Sequence, residues 1–457
     1  MIDDVQASVD FVYFTFYKSE MYSFAKLFCR ILPGHRWVAL GLLLLWGSGI
    51  LTATAQTPLA GIRVNAVDCG ARGDGVTLNT RFLQTAIDRL AAGGGGTLVL
   101  SNGIYLSGAL FLQPGVNLEL AADTVLRGST NILDYPKGRT RVEGQLIDWI
   151  PALLNADHCD HLRLSGQGTL DGNGEIFYQA FWAARKRDPK VTNLAVERPR
   201  LLLIQHSQDV QITGVHFKNS GFWNLHLYRC QDVLLENLHF TVLENQRCPS
   251  TDGTDVDSCQ RVTIRGCVYR VDDDCICLKG TKGPFALDDT DSPPVEHIRV
   301  ENCIFERGGG VVTLGSEATL VRDVVVTNCR VTGPINVALL KLRPDTPQHY
   351  EDIHYSDITL DSTNRAILAI QPWKQFFDLK GQQPPKSIVR NITLSNIKGN
   401  YGTLANIQGN ANQTEISDIK LTNINVHLQT EEYKVASVKN LIFDQVTING
   451  KPVTLKN

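Results

Sequence analysis

Apolar and polar residues alternate with a period of two in a series of short runs, and the runs recur along the chain. Val210-Gln211-Ile212-Thr213-Gly214-Val215 is followed by Val233-Leu234-Leu235-Glu236-Asn237-Leu238 and by Val262-Thr263-Ile264-Arg265-Gly266-Cys267. The pattern returns at Ile298 to Cys303, Val324 to Cys329, Ile353 to Ile358, Ile392 to Ile397, Ile419 to Ile424 and Leu441 to Val446, with an earlier copy at Leu162 to Gly166. Alternation of this kind predicts strands with one face in a core. The small residue, Asn or Asp before the last apolar position predicts a bend with left-handed backbone, where stacked amides hydrogen-bond from copy to copy. Most copies lie about 22 to 39 residues apart, the spacing of a solenoid.

Helical patterns are nearly absent between the copies, which argues against leucine-rich and ankyrin repeats. A β-propeller would need four strands in roughly 40–45 residues and a different motif. The predicted fold is therefore all-β, a right-handed single-stranded parallel β-helix. Before the first copies, Phe82, Leu83, Ala86, Ile87 and Leu90 recur at helical spacing within Thr80 to Ala92, and Gly93 to Gly96 end the pattern. A helix over the first coil is the cap that an open-ended solenoid requires. Cys267, Cys303 and Cys329 fall at one point of the repeat and read as a ladder of core thiols rather than a disulfide framework. No Cys or His spacing suits structural zinc.

The N-terminus changes the picture of where the chain works. Lys26, Arg30 and Arg36 precede an apolar run that includes Leu42 to Leu45, and Ala53-Thr54-Ala55 offers a small-x-small cleavage pattern. Residues 1–55 read as an export signal whose true start is Met21, with a membrane anchor as the alternative. The run is short for a span, and no later segment could cross a bilayer. Residues 56–457 then form one β-helix catalytic domain, periplasmic or extracellular and monomeric. A net charge of −3 gives no basic surface for nucleic acid.

Candidate chemistry concentrates in the middle copies, at Asp252, Asp255, Asp257, Asp272, Asp273 and Asp274. Asp252 and Asp273 are 21 residues apart, close to one coil, and strands of adjacent coils lie ~4.8 Å apart. Acids this close repel when ionised, so one keeps its proton and can protonate a leaving oxygen while another activates water. Clusters of this kind on β-helices also bind calcium or face solvent. For Asp273 and Asp274 to act together, the pair must sit at a strand end or bulge. One coil on, Lys341 and Arg343 share a face and suit a uronic acid carboxylate, or a solvated basic strand. Trp223 and His226 could form a sugar-stacking wall, or pack in the core. No cofactor or metal is expected.

These residues resemble glycoside hydrolase family 28, the polygalacturonase and rhamnogalacturonase family. Asp68 to Gly75 resembles an opening shared with other pectin-acting β-helices, and Gly168-Thr169-Leu170-Asp171-Gly172-Asn173-Gly174 resembles a family stretch. The family's N-T-D appears as Ser250-Thr251-Asp252, and its D-D as Asp273-Asp274. Its G-H-G reads Gly308-Gly309-Gly310, without the histidine, and its R-I-K reads Lys341-Leu342-Arg343, with the cations exchanged. The resemblance implies an inverting hydrolase of pectic polysaccharide in which Asp273 is the general acid and Asp252 and Asp274 position water. The missing histidine occurs in rhamnogalacturonan-acting relatives too, so the resemblance argues against a plain endo-polygalacturonase. A catalytically silent polysaccharide-binding β-helix and a polysaccharide lyase are the alternatives. An insert at Gly283 to Pro294 could close one end of the cleft and favour exo action.

Overall fold

The computed structural model describes residues 61–453. The export signal and its cleavage pattern lie outside the described residues. Among those described, the chain winds as a right-handed parallel β-helix. The strands form a 23-stranded sheet, which folds around two sides of each coil, and an 11-stranded sheet on the third. Pairing is parallel throughout these sheets except where Val438–Ile448 meets Lys451–Pro452.

The repeat dictates the register. Val210, Val233, Val262, Ile298, Val324, Ile353, Ile392, Ile419 and Leu441 pair in succession, so one apolar position of every copy becomes one interior column. A second column stacks rings: Phe217, Phe240, Tyr269 and Phe305 lie 4.8, 4.7 and 5.2 Å apart in turn. The bend asparagines adopt left-handed backbone, with φ of 58° at Asn302 and 51° at Asn328. Asn328 Nδ2 donates to Asn302 Oδ1 at 2.6 Å, and the chain of amides resumes from Asn423 to Asn396 at 2.8 Å. The cysteines of the described residues are free thiols, and Cys267, Cys303 and Cys329 are buried.

Helix α1 (Thr80–Ala92) stands in the first coil where later coils carry a strand of the 11-stranded sheet. Its buried face, Leu83, Ala86, Ile87 and Leu90, lies over that sheet's first coils. A second helix, α2 (Glu175–Arg187), stands between two copies, where helical patterns read as nearly absent. Phe177, Tyr178 and Phe181 bury one face of it; they lie between two repeats rather than in one, so the two-residue period masks them. The other interruption is an antiparallel hairpin, Gly138–Val142 with Gln145–Trp149. Glu143 and Gly144 turn it with φ of 45° and 72°, the doubly left-handed geometry of a tight hairpin turn. No helix among the described residues is long and apolar enough to cross a membrane.

Candidate active site

The outer face of the 11-stranded sheet carries the site. Its strands Leu225–Tyr228, Thr254–Asp257, Ile276–Lys279, Gly310–Leu314 and Asn336–Leu342 lie side by side in that order. Thr254 pairs with Ile276, and Gly253 N donates to Asp274 O. Asp252 is therefore level with Asp274, not with Asp273 as the 21-residue separation suggested; the coil takes one residue more. Asp273 joins them because Asp272 to Asp274 bend ahead of their strand, as the two-acid requirement demanded. One oxygen each of Asp252, Asp273 and Asp274 lies within 4.8 Å of the others.

Each acid has a distinct environment. Asp274 accepts from Thr313 Oγ1 at 2.8 Å and from Lys341 Nζ at 2.5 Å. Asp273 is half-buried and faces the cavity. Burial, then the adjacent Asp274, raises its pKa above the ordinary carboxylate range. Burial and the neighbouring Asp255 push Asp252 well above that range. The segment before Asp252 is fixed by Arg198, fully buried, which donates to Pro249 O at 2.6 Å and Ser250 Oγ at 3.1 Å.

The remaining acids of the cluster turn elsewhere. Asp272 pairs with Arg307 and accepts from Cys248 N at 2.6 Å. Asp257 is held by Arg141, at 2.9 and 3.2 Å. Asp255 lies under the site, 3.4 Å from Lys279 Nζ and with neither oxygen hydrogen-bonded among the described residues, and burial pushes its pKa up to about 8. This predicts a measurable pH dependence of stability. Between about pH 4 and pH 8 the unfolded chain releases a proton that the folded chain keeps, so stability falls as pH rises through that window. Asp255→Asn removes the group, and its melting temperature should change less between about pH 5 and pH 8 than that of the wild type. Parallel melting curves against pH for the two proteins would disprove it.

Lys279 was not singled out by the sequence, yet it sits at the centre. Its Nζ is 3.7 Å from Asp252, 3.4 Å from Asp255 and 3.6 Å from Glu317, and 4.5 Å from the ring centre of Trp223. Burial opposes its charge, but Cys277 and these carboxylates outweigh it and raise the pKa well above the ordinary lysine value. Burial likewise works against the anion of Glu317, and Lys279, Lys282 and Arg343 hold its pKa well below the usual range.

The other expected residues divide. Trp223, Lys341 and Arg343 line the cavity, together with Trp373 and Lys282. Lys341 is engaged by Asp274, and Arg343 by a bidentate pair with Asp345 at 2.8 Å, so neither stands free as the uronate-binding pair expected of them. His226 is no wall for a sugar. It is fully buried, 2.8 Å from Arg200 and 3.5 Å from Asp257, and burial lowers its pKa to about 4. Gly309 is packed behind Asp274, where a Cβ would come 2.7 Å from Asp274 Oδ1. Gly309→Ala should therefore displace the carboxylate and lower kcat at least about tenfold with an unaltered fold, since sub-ångström placement governs such groups; full activity in the alanine variant would rule this out.

What covers His226 is the hairpin Gly138–Trp149. Arg141 reaches Asp257 and Thr281, while Arg200 donates to Arg141 O at 2.6 Å and Thr140 Oγ1 at 2.7 Å. The arm ends with Glu143 in the cavity wall, 3.5 Å from Lys282, and Gly144 against Gly280 O. The insert at Gly283 to Pro294 meets this arm where Asp289 lies 3.8 Å from Arg141, and Asp291 ties the insert to Arg229 of the neighbouring coil.

Carboxylates converging beside tryptophans in a cleft on a parallel β-helix define a glycoside hydrolase. The model of Glycosyl hydrolases family 28 matches residues 122–447, and the chain belongs to that family. A probable polygalacturonase of Vitis vinifera is 25% identical over 385 residues, covering 81% of this chain and 75% of that protein. A probable endo-xylogalacturonan hydrolase A of Aspergillus niger is 24% identical, covering 72% and 76%. Among solved structures, the exopolygalacturonase of Thermotoga maritima superposes with a TM-score of 0.70 at 22% identity, covering 85% of this chain and 92% of that one.

Proposed function

We propose that the chain hydrolyses α-galacturonosyl bonds of a pectic polysaccharide with inversion. The observation that carries the hydrolysis is the convergence of Asp252, Asp273 and Asp274 within 4.8 Å. Asp273, half-buried and with a raised pKa, is the proton donor. Its proton goes to the glycosidic oxygen as the bond from that oxygen to C1 breaks. Asp252 and Asp274 hold the water that adds to C1 from the opposite face, and one of them takes its proton. Both Asp274 oxygens are already engaged, by Thr313 and Lys341, which disfavours covalent attack on C1 and favours direct displacement by water. Proton NMR of the first product from an α-linked substrate should show the β-anomer; the α-anomer at early times would exclude inversion.

The linkage is galacturonan or rhamnogalacturonan, and Gly309 in place of the family's histidine favours the less common one. The arm from Gly138 to Trp149, rather than the insert alone, walls one end of the cleft and supports exo action on chain ends. Reducing-sugar release from homogalacturonan and rhamnogalacturonan, followed over time, tests both points. A spread of oligomers at early times would exclude exo action, and unsaturated products absorbing in the ultraviolet would make the enzyme a lyase.

A further inference from the structure

We propose that Asp157, His158 and His206 form a binding site for a divalent transition cation, three strands along the 11-stranded sheet from the strand of Asp255. The register creates the site. Asp157 pairs with Gln205, so His158 and His206 follow at the same point of successive coils. Both have left-handed backbone, with φ of 53° and 51°, and their rings stack with centres 4.9 Å apart. The two Nδ1 atoms converge on a single oxygen, Asp157 Oδ1, at 2.7 and 2.8 Å.

Two imidazole nitrogens and a carboxylate oxygen are donors for zinc, copper or nickel. An ion at ~2.0–2.2 Å from each needs the three atoms to move little from where they are. His158 and Asp157 are exposed, so an ion can enter from solvent and keep water at its remaining positions. Other histidine–aspartate contacts on the coils differ in one decisive respect. His161 meets Asp209 at 2.8 Å and His297 meets Asp323 at 2.5 Å, each with one imidazole. In both, an arginine occupies the same carboxylate: Arg163 at Asp209 and Arg299 at Asp323. A fixed guanidinium excludes a second cation. At Asp157 the second partner is another imidazole, which a metal can use. One coil further, Arg229 stands where the histidines stand and pairs with Asp291, which confines the pair to two coils.

Isothermal titration of Zn²⁺ into the full chain, in chelator-free buffer, tests the site. One ion per chain is expected. His206→Ala should weaken binding at least about tenfold, the loss that disturbing a metal's support produces. His161→Ala should leave it unchanged, and both variants should keep the wild-type rate of hydrolysis. Absence of binding at millimolar zinc would overturn the proposal. So would undiminished binding by His206→Ala, which would place the ion elsewhere, for example on the Asp252, Asp273 and Asp274 trio.

Discussion

Asp273→Asn lowers kcat by about 10²- to 10⁴-fold, the contribution of a positioned general acid, while the melting temperature stays at or above that of the wild type. Two features set this expectation. The carboxyl is half-buried beside two others, and that burial and the adjacent Asp274 raise its pKa above the ordinary carboxylate range. Among the described residues its Oδ1 accepts a hydrogen bond only from the neighbouring Asp274 N, at 3.1 Å, and no salt bridge neutralises it. Asparagine keeps the shape and removes the proton. Steady-state rates on a pectic oligomer, with circular dichroism as the control for folding, measure the effect. Substantial residual activity would show that another group donates the proton, with Asp252 the next candidate because its pKa is also raised.

Arg141→Ala has the largest expected effect on stability. Arg141 and Asp257 are both almost fully buried and joined by two hydrogen bonds. Removing one partner leaves an uncompensated buried charge, which costs about 3–5 kcal/mol. The burden falls first on the arm. With Arg141 gone, Arg200 and His226 lose their cover, and the end of the cleft opens. Urea unfolding monitored by tryptophan fluorescence should show the loss, and the product profile should shift towards longer oligomers. A stable variant with unchanged products would mean that the arm is held by its turn and by Arg200 alone. Arg141→Ala combined with Asp257→Asn separates the two contributions, because it removes the orphan charge while still releasing the arm.

The interior of the solenoid was legible because each coil repeats one rule. A residue such as Val262 can only be an inward position when Val233 and Ile298 occupy the same place before and after it. The acidic trio was legible for the same reason, although equating a coil with 21 residues set Asp252 one residue out of step with its partner. What the repeat could not reveal is what does not repeat. The coils on either side of Lys279 carry Asp257 and Gly315 at its position, and its meaning comes from Asp252, Asp255 and Glu317 closing around it. His226 reads as a cleft residue on its own strand, and only a hairpin inserted several coils earlier buries it. That hairpin turns on Glu143-Gly144, a weaker signal than Asn-Gly or Asp-Gly. The two cations at Lys341 and Arg343 line the cavity, but their partners Asp274 and Asp345 could be assigned only in three dimensions.

The arm also bears on the order in which the molecule comes together. Neighbouring coils join segments a few tens of residues apart, whereas Arg141 meets Asp257 across 116 residues. Contacts that close so long a stretch of chain form late, after the intervening segments have lost their freedom. A chain emerging from the ribosome can wind its first coils and form the hairpin long before the aspartate that anchors it has been synthesised. The cleft therefore acquires its closed end as a final act of assembly. A chain stalled or truncated before Asp257 would leave Arg200 and His226 uncovered and the arm undocked.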